Sequence, residues 1–494
     1  MITLNSIKSL FISDSMESLS KKTAKGSFWL LMFRIFSQGF GFIRTIILAR
    51  LLAPADFGLF GITLLAVSLL ETFSQNGFQS ALIHKKGDIK PYLDTSFIVQ
   101  AVRGFLIALI LFASAPFISV FFKAEGSESI LRVIAFAIFI QGLTNIATIY
   151  LQKELEFKKY FFYQVSGTVA DIAVSIILAL LFANVWALVA GYLAGIVVRC
   201  IVSYMIYFYI PKPNFDFKKA KELLGYGKWV FGTNIIGFFM AQIDSFFVAK
   251  LSGVISLGFY QVAYKIPSIL GLEVLAGATF PAYSKIQDDL PKLQDAYLKI
   301  TKIFAIMLMP MAVGMYILIP RFITLFLGEK WSPVLWPMRI LSLSALVWTM
   351  AVVSDYMFLA IGKPYIQARW SAIRLLILII LLYPFIKMYN LTGASMAVLV
   401  GSLVSAFGLT IEAINIIKFS FGKYVYNIIF LFANALIMGS LVYILTNFMS
   451  NNIFSFIFII FSGALIYFLL ALVFDKVFKD KSLQLLKESI KLLG

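Results

Sequence analysis

The chain has 494 residues, of which 61% are hydrophobic and 13% charged, and its mean hydropathy is +0.92. Soluble domains carry roughly 25% charged residues, so a water-soluble globular fold is excluded and lipid must cover much of the apolar surface. The formal net charge of +18 does not point to nucleic acid, because the lysines sit in short segments between apolar runs, where membrane topology accounts for them.

Residues 1–27 form a charged cytoplasmic lead-in, without the apolar stretch and small-residue cleavage site of a removable signal sequence. Apolar windows of ~20 residues then predict membrane-crossing helices near 28–52, 57–82, 95–121, 130–151, 161–183 and 185–209, an N-terminal bundle over 28–210. A polar cytoplasmic interfacial linker occupies 211–228. A second bundle over 229–418 follows, with spans near 229–250, 257–283, 300–320, 334–361, 365–386 and 391–417. The segment 419–475 adds spans near 426–448 and 453–474. In the cytoplasmic tail, 476–494, Leu483, Leu486, Ile490 and Leu493 recur at helical spacing among lysines, as in an amphipathic helix lying on anionic lipid. The expected architecture is an all-α polytopic membrane protein with about 14 transmembrane helices, two pseudo-symmetric six-helix bundles plus two C-terminal helices.

Loop charge tests this layout. With the N-terminus inside, the inner segments collect roughly 28 lysines and arginines against about 6 outside, a strong positive-inside bias that places both termini in the cytoplasm. The single Cys200 and single His84 exclude an intrachain disulfide and a His/Cys zinc cage. No Walker A pattern occurs, so the chain does not itself hydrolyse ATP.

The two halves resemble each other at a shift of 200 residues. Trp29 falls on Trp229, Ala49-Arg50-Leu51 on Ala249-Lys250-Leu251, and Gly58 and Phe60 on Gly258 and Tyr260. Six helices separate the copies, so both enter the membrane in the same sense, as parallel repeats that suit rocking between two access states.

Charged residues within spans are costly and therefore functional suspects. Arg34 and Arg44 stand ten residues apart on the first helix, about 80° apart around its axis, so one polar flank holds both. The repeat places Asn234 and Asp244 at the same positions, keeping the polarity and reversing the charge. Cavity arginines would grip an anionic head-group, since guanidinium pairs bidentately with phosphate; a structural ion pair of Arg44 with Asp244 is the competing reading. Lys265 belongs with the head-group candidates. Glu71, Asp171, Glu273 and Asp355 are candidates for gating or for taking up a coupling cation, H⁺ or Na⁺, neither identified by the sequence; no other cofactor and no metal is expected. Arg103, Arg199, Arg339, Arg374 and Glu412 form a second tier, with Arg103 and Arg199 near enough to a membrane face to snorkel. Pro267 and Pro310 are candidate bend points.

The stretch Gly41-Phe-Ile-Arg-Thr-Ile-Ile-Leu-Ala-Arg-Leu-Leu-Ala-Pro-Ala-Asp-Phe-Gly-Leu-Phe60 resembles the opening of the polysaccharide-transport family, the Wzx-like flippases of the MOP superfamily. Gln75-Asn-Gly-Phe-Gln-Ser-Ala-Leu-Ile83, Tyr226-Gly-Lys-Trp229 and Phe259-Tyr-Gln-Val-Ala-Tyr-Lys265 are similar to later landmarks of that family. The resemblance implies two six-helix bundles around a largely cationic cavity. It implies carriage of an undecaprenyl-pyrophosphate-linked oligosaccharide from the inner to the outer leaflet of the bacterial inner membrane, without covalent chemistry. A polysaccharide polymerase and export machinery are the implied partners, beside membrane lipids. Similarity to the lipid II flippase branch adds Asp56, beside Arg44, to the head-group candidates. The alternatives are a MATE-like drug or metabolite antiporter, against which the Arg-bearing first helix argues, and a non-transporting scaffold or glycan-processing membrane enzyme.

Overall fold

The structure, a computed structural model, describes residues 4–75, 77–270 and 279–478, and these contain helices and no strand. Eleven of the helices are long and apolar enough to cross a membrane, twelve if the bent pair Ser127–Gly142 and Ile146–Lys153 counts as one span. Two of the expected spans, 365–386 and 391–417, lie within one 54-residue helical stretch, and the expected 257–283 span includes residues outside those described. The chain is therefore a polytopic all-helical protein. It divides into two compact units, Met1–Phe238 and Phe239–Gly494.

Unit 1 contains α1 (Leu4–Leu51), α2 (Pro54–Ser74), α3 (Phe78–His84), α4 (Lys90–Phe122), α5 (Ser127–Gly142), α6 (Ile149–Lys153), α7 (Phe157–Phe182), α8 (Trp186–Ile206) and the first part of α9 (Phe217–Ser252). Helix α2 opens on Pro54, where no backbone N–H is needed, and the Asp56 carboxylate accepts the Ala53 N–H at 2.8 Å. Prolines in the first turn open α4 in the same way.

Helix pairs in this unit meet along glycines. A Cβ placed on Gly104 of α4 would stand 2.7 Å from Cα of Gly142 in α5. One on Gly195 of α8 would stand 2.9 Å from the carbonyl oxygen of Gly167 in α7 and 3.1 Å from Cβ of Asp171. Lipid offers no hydrophobic drive for helix association, so such close backbone approach supplies the contact instead. Between α5 and α6 the span bends by 67°. Asn145 holds the corner, accepting the Ala147 N–H at 2.9 Å and donating to the Tyr207 carbonyl at 2.7 Å.

The linker packs on the bundle through Leu223. The Tyr209 hydroxyl and the Lys212 N–H both reach the Asp94 carboxylate, the latter at 2.9 Å, and the Asp216 N–H reaches Thr95 Oγ1 at 3.1 Å. Ala220 and Leu223 are buried against Leu82, Leu93 and Ile149. Glu222 then takes Lys85 Nζ at 2.5 Å and the Tyr92 hydroxyl at 2.9 Å. These donors hold the Glu222 carboxyl below its usual range and the same carboxylate holds the Lys85 ammonium above its own. The glutamate's contribution is complete above the ordinary carboxylate value, ~4.3, and is lost as pH falls through its lowered one. That of the lysine is complete below ~10.4 and lost as pH rises through its raised value. Tryptic cleavage after Lys218, Lys219 and Lys221, measured relative to an unstructured peptide of the same sequence, should thus stay constant between pH 6 and 9. Glu222→Gln should raise it modestly at neutral pH, and equal rates in both proteins would show that the contact holds nothing.

Unit 2 contains the rest of α9, α10 (Val254–Lys265), α11 (Phe280–Lys285), α12 (Leu290–Phe322), α13 (Leu335–Ala360), α14 (Pro364–Ile417), α15 (Phe421–Phe448) and α16 (Ile453–Phe478). Helix α14 is two helices joined at Asn390, whose φ of 50° and ψ of −128° break the helical path. Asparagine tolerates positive φ better than most residues. The two arms run antiparallel, since Trp370 meets Gly408, Arg374 meets Gly401 and Arg369 pairs with Glu412. A core of Leu308, Ala312, Val353, Phe358, Leu409 and Ala413 joins α12, α13 and α14.

The last two helices pack on α12 through Leu431, Ala435 and Met438 against Ala305 and Met309. Arg321 fastens them, donating to the terminal carbonyls of α15 and its exit, Thr446, Met449 and Ser450. Those carbonyls have no partner within the helix and carry partial negative charge. Helix α12 continues through Pro310, while Pro267 begins a short 3₁₀ turn, Pro267–Leu270. Of the expected tail helix, Leu483 to Leu493 lie outside the described residues.

Candidate functional site

The charged residues inside unit 1 form a chain of alternating sign. Arg44 Nη2 lies 2.7 Å from Asp171 Oδ1, and its Nε donates to Ser175 Oγ at 3.1 Å. Arg199 acts electrostatically on both Asp171 and Glu71. Glu71 in turn accepts Gln141 Nε2 at 3.0 Å and lies in the field of Arg103. Arg103 does not snorkel outward: Nε donates to Ser74 Oγ at 3.0 Å and Nη2 to the Glu71 carbonyl at 3.1 Å. The order Arg44, Asp171, Arg199, Glu71, Arg103 leaves each acid between two bases, an arrangement that lowers the cost of holding charge away from water.

Glu71 and Arg103 open onto a cavity of about 350 Å³ walled by α2, α3, α4, α5, α6, α7 and the bent connection at Asn145. A second lobe of about 360 Å³ reaches towards Gln75 and shares Glu71, Gln79, Gln100, Arg103 and Gln141 with the first. The rest of the polar wall is neutral, with amides and hydroxyls such as Gln152, Thr148, Tyr160 and Gln164. Gln100 is fixed by donating to the carbonyls of Gly142 and Thr144 at 3.2 and 2.8 Å, so the Gly104–Gly142 contact sets its position. Gln164 donates to the Tyr160 hydroxyl at 2.9 Å.

The residues expected to act together are distributed differently. Within unit 1, Arg44 is engaged by Asp171 and Ser175. Asp244, 5% exposed, accepts the Tyr260 hydroxyl at 2.8 Å and its own following N–H from Ser245 at 2.7 Å, and it feels Arg374 of α14. Arg374 also stacks on Trp348 at 4.1 Å. The charge reversal seen between the repeats therefore extends to the partners: arginine on α1 with aspartate on α7 in unit 1, aspartate on α9 with arginine on α14 in unit 2. In both units a glycine, Gly195 or Gly401, faces the partner residue from the neighbouring helix and leaves room for it.

Arg34 is exposed on α1. Asn234 donates to Gln75 Oε1 at 2.6 Å, at the margin of the second lobe. Asp56 caps α2, Lys265 is exposed at the end of α10, and Asp355 is buried in α13. Glu273 lies outside the described residues. Of the second tier, Arg339 donates to the Tyr316 carbonyl at 3.0 Å. The glutamines of the cavity were not singled out by the sequence; five of them, Gln79, Gln100, Gln141, Gln152 and Gln164, stand in a stretch otherwise rich in apolar spans, which is the one signal that could have found them.

A family model described as polysaccharide biosynthesis protein matches residues 47–335. The lipopolysaccharide biosynthesis protein WzxC of Escherichia coli K12 is 24% identical over 67% of this chain and 68% of its own length. The succinoglycan biosynthesis transport protein ExoT of Rhizobium meliloti is 23% identical over 72% of each. Among solved structures, the lipid II flippase MurJ in an inward closed conformation superposes with a TM-score of 0.75 at 17% identity, covering 90% of this chain and 98% of that one. At that identity the likeness speaks for the fold.

Proposed function

We propose, from the premise that this chain belongs to the polysaccharide biosynthesis protein family, that it is a flippase for a lipid-linked oligosaccharide. It would carry that substrate from the cytoplasmic to the outer leaflet of the bacterial inner membrane, with both of its own termini in the cytoplasm. The observation that carries the reading is the polar cavity bounded by Glu71 and Arg103 within a bundle of membrane-crossing helices. A glycan brings many hydroxyls, and each one moved into hydrocarbon without a partner costs several kcal/mol. A wall of amides and hydroxyls replaces the water those groups lose, whereas the anchoring lipid needs no such wall. No bond in the substrate has to form or break, so the task is binding and release on opposite sides.

Unit 1 ties its first helix to its fifth expected span by the Arg44–Asp171 pair, and in unit 2 Asp244 of the first helix lies in the field of Arg374 of the fifth, which supports movement of each unit as a body, the requirement for alternating access. Glu71 and Asp171 are the acids this reading assigns to uptake of a coupling cation, H⁺ or Na⁺. Arg34 is the arginine left to meet the pyrophosphate, because Arg44 is committed to Asp171 and Ser175. The product would pass to a polymerase and export machinery in the same membrane.

Deletion of the gene tests the reading. The lipid-linked oligosaccharide should accumulate in the inner leaflet while the surface polysaccharide disappears, and the intact gene should restore both. Unchanged surface polysaccharide with no accumulated intermediate would refute it.

A further inference from the structure

We propose that the cavity of unit 1 is a subsite for uncharged sugar residues, read by neutral amides, and that it discriminates against uronic acids. Three observations carry this. Among the described residues, the cavity's only formally charged wall residues are Glu71 and Arg103, one of each sign. Arg103 turns two of its five N–H groups inward to Ser74 and the Glu71 carbonyl, and the Glu71 carboxylate is held by Gln141. A uronate that approached Arg103 would therefore bring its own carboxylate against that of Glu71, a like-charge contact that low dielectric amplifies.

The amides provide the positive recognition. Each glutamine offers two donors and an acceptor, which matches a hydroxyl that both gives and receives a hydrogen bond. Gln100, Gln141 and Gln164 are already oriented by their own bonds. Gln79 and Gln152 line the cavity and their side-chain amides make no hydrogen bond to a described residue, so these amides are available to a ligand. The volume of about 350 Å³ lies within the range of small-ligand sites and admits a short stretch of glycan rather than a whole long repeat.

Two measurements on the full-length protein test this subsite, and only the second rests on the flippase reading. First, saturation-transfer NMR on detergent-solubilised protein would compare methyl glucoside with methyl glucuronide, which differ only in a hydroxymethyl against a carboxylate. The glucoside should give transfer and the glucuronide little, and Gln79→Ala and Gln152→Ala should each weaken the glucoside about 2- to 10-fold, the worth of one hydrogen bond. Second, proteoliposomes would be loaded with undecaprenyl-pyrophosphate-linked glucose or glucuronic acid and translocation followed with a membrane-impermeant oxidant. The glucose form should move faster, and the two alanine variants should slow it by a similar factor.

Equal or stronger binding of the glucuronide, or variants that bind and transport as the parent does, would overturn the proposal. If the parent binds glucoside through Gln79 and Gln152 yet moves neither lipid, the subsite stands and the flippase reading fails. If the parent moves the glucose lipid and the variants match it, the flippase reading stands and the subsite falls.

Discussion

Arg44→Ala should lower the stability of the purified protein by about 3 kcal/mol, the low end for breaking a buried ion pair, because 17% and 27% of the two side chains remain exposed. The loss is chiefly that of Asp171, left without its directly bonded cation and with only the more distant field of Arg199, while Ser175 is deprived of its donor as well. Gly191 and Gly195 of α8 leave the space that Asp171 fills, a Cβ on Gly191 standing 2.7 Å from Asp171 Oδ1, so α8 packs closely on the aspartate. Asp171→Asn should cost less, since the amide keeps the shape and one acceptor. The informative variant is the double Arg44→Asp, Asp171→Arg, which copies the sign of the Asp244–Arg374 arrangement in unit 2. It should recover part of the loss, incompletely because arginine is longer than aspartate and Gly191 and Gly195 were fitted to the shorter side chain. Thermal unfolding followed by size-exclusion chromatography measures all three. An Arg44→Ala protein as stable as the parent would mean that α1 is held by its aromatic contacts alone, such as Trp29 with Phe161.

How much of this was legible in the sequence follows from what each feature costs. Span positions were, because a membrane crossing needs a long apolar run that no other element needs. Arg44 and Asp244 were, because a charge within such a run is rare and the repeat set them side by side. Their partners were not. Asp171 lies 127 residues from Arg44, and no periodicity links a residue on one helix to a residue on another. The sign reversal drew attention to Asp244, and only the packing of α1 on α7 shows that Arg44 meets Asp171 within unit 1. The cavity was the least legible part. A glutamine in a span is cheap beside an arginine, so a search ranked by cost passes over it, and the wall is assembled from six helices, of which the five that carry glutamines share no motif. The bend at Asn145 escaped notice because it rests on a single asparagine inside an expected span, whereas the chain reversal at Asn390 falls in the gap between the expected spans 365–386 and 391–417.

Gly104→Ala should be the most damaging small substitution near the cavity, costing about 1–3 kcal/mol and most of the transport. Its Cβ would stand 2.7 Å from Cα and 3.3 Å from the amide nitrogen of Gly142, and 3.4 Å from the Ile138 carbonyl. All three are backbone atoms of one helix, so no side chain can rotate to make room and α5 itself must move. Gln100 and Gln141 ride on the two helices concerned, and the Gly142 carbonyl is one of the acceptors that fix Gln100. Parting the helices would stretch that bond and shift Gln141 away from Glu71, altering the cavity wall without touching a lining side chain. By contrast Gly39 and Gly41 of α1 have open space where a Cβ would go, so alanine there should be silent or slightly stabilising. The comparison separates packing from a general intolerance of change at glycines. Surface polysaccharide in cells carrying each variant, measured beside the amount of folded protein in the membrane, decides it. Gly104→Ala should lose transport by more than its loss of folded protein explains, whereas Gly41→Ala should lose neither. Equal behaviour of the two would sink the argument that the α4–α5 contact shapes the cavity.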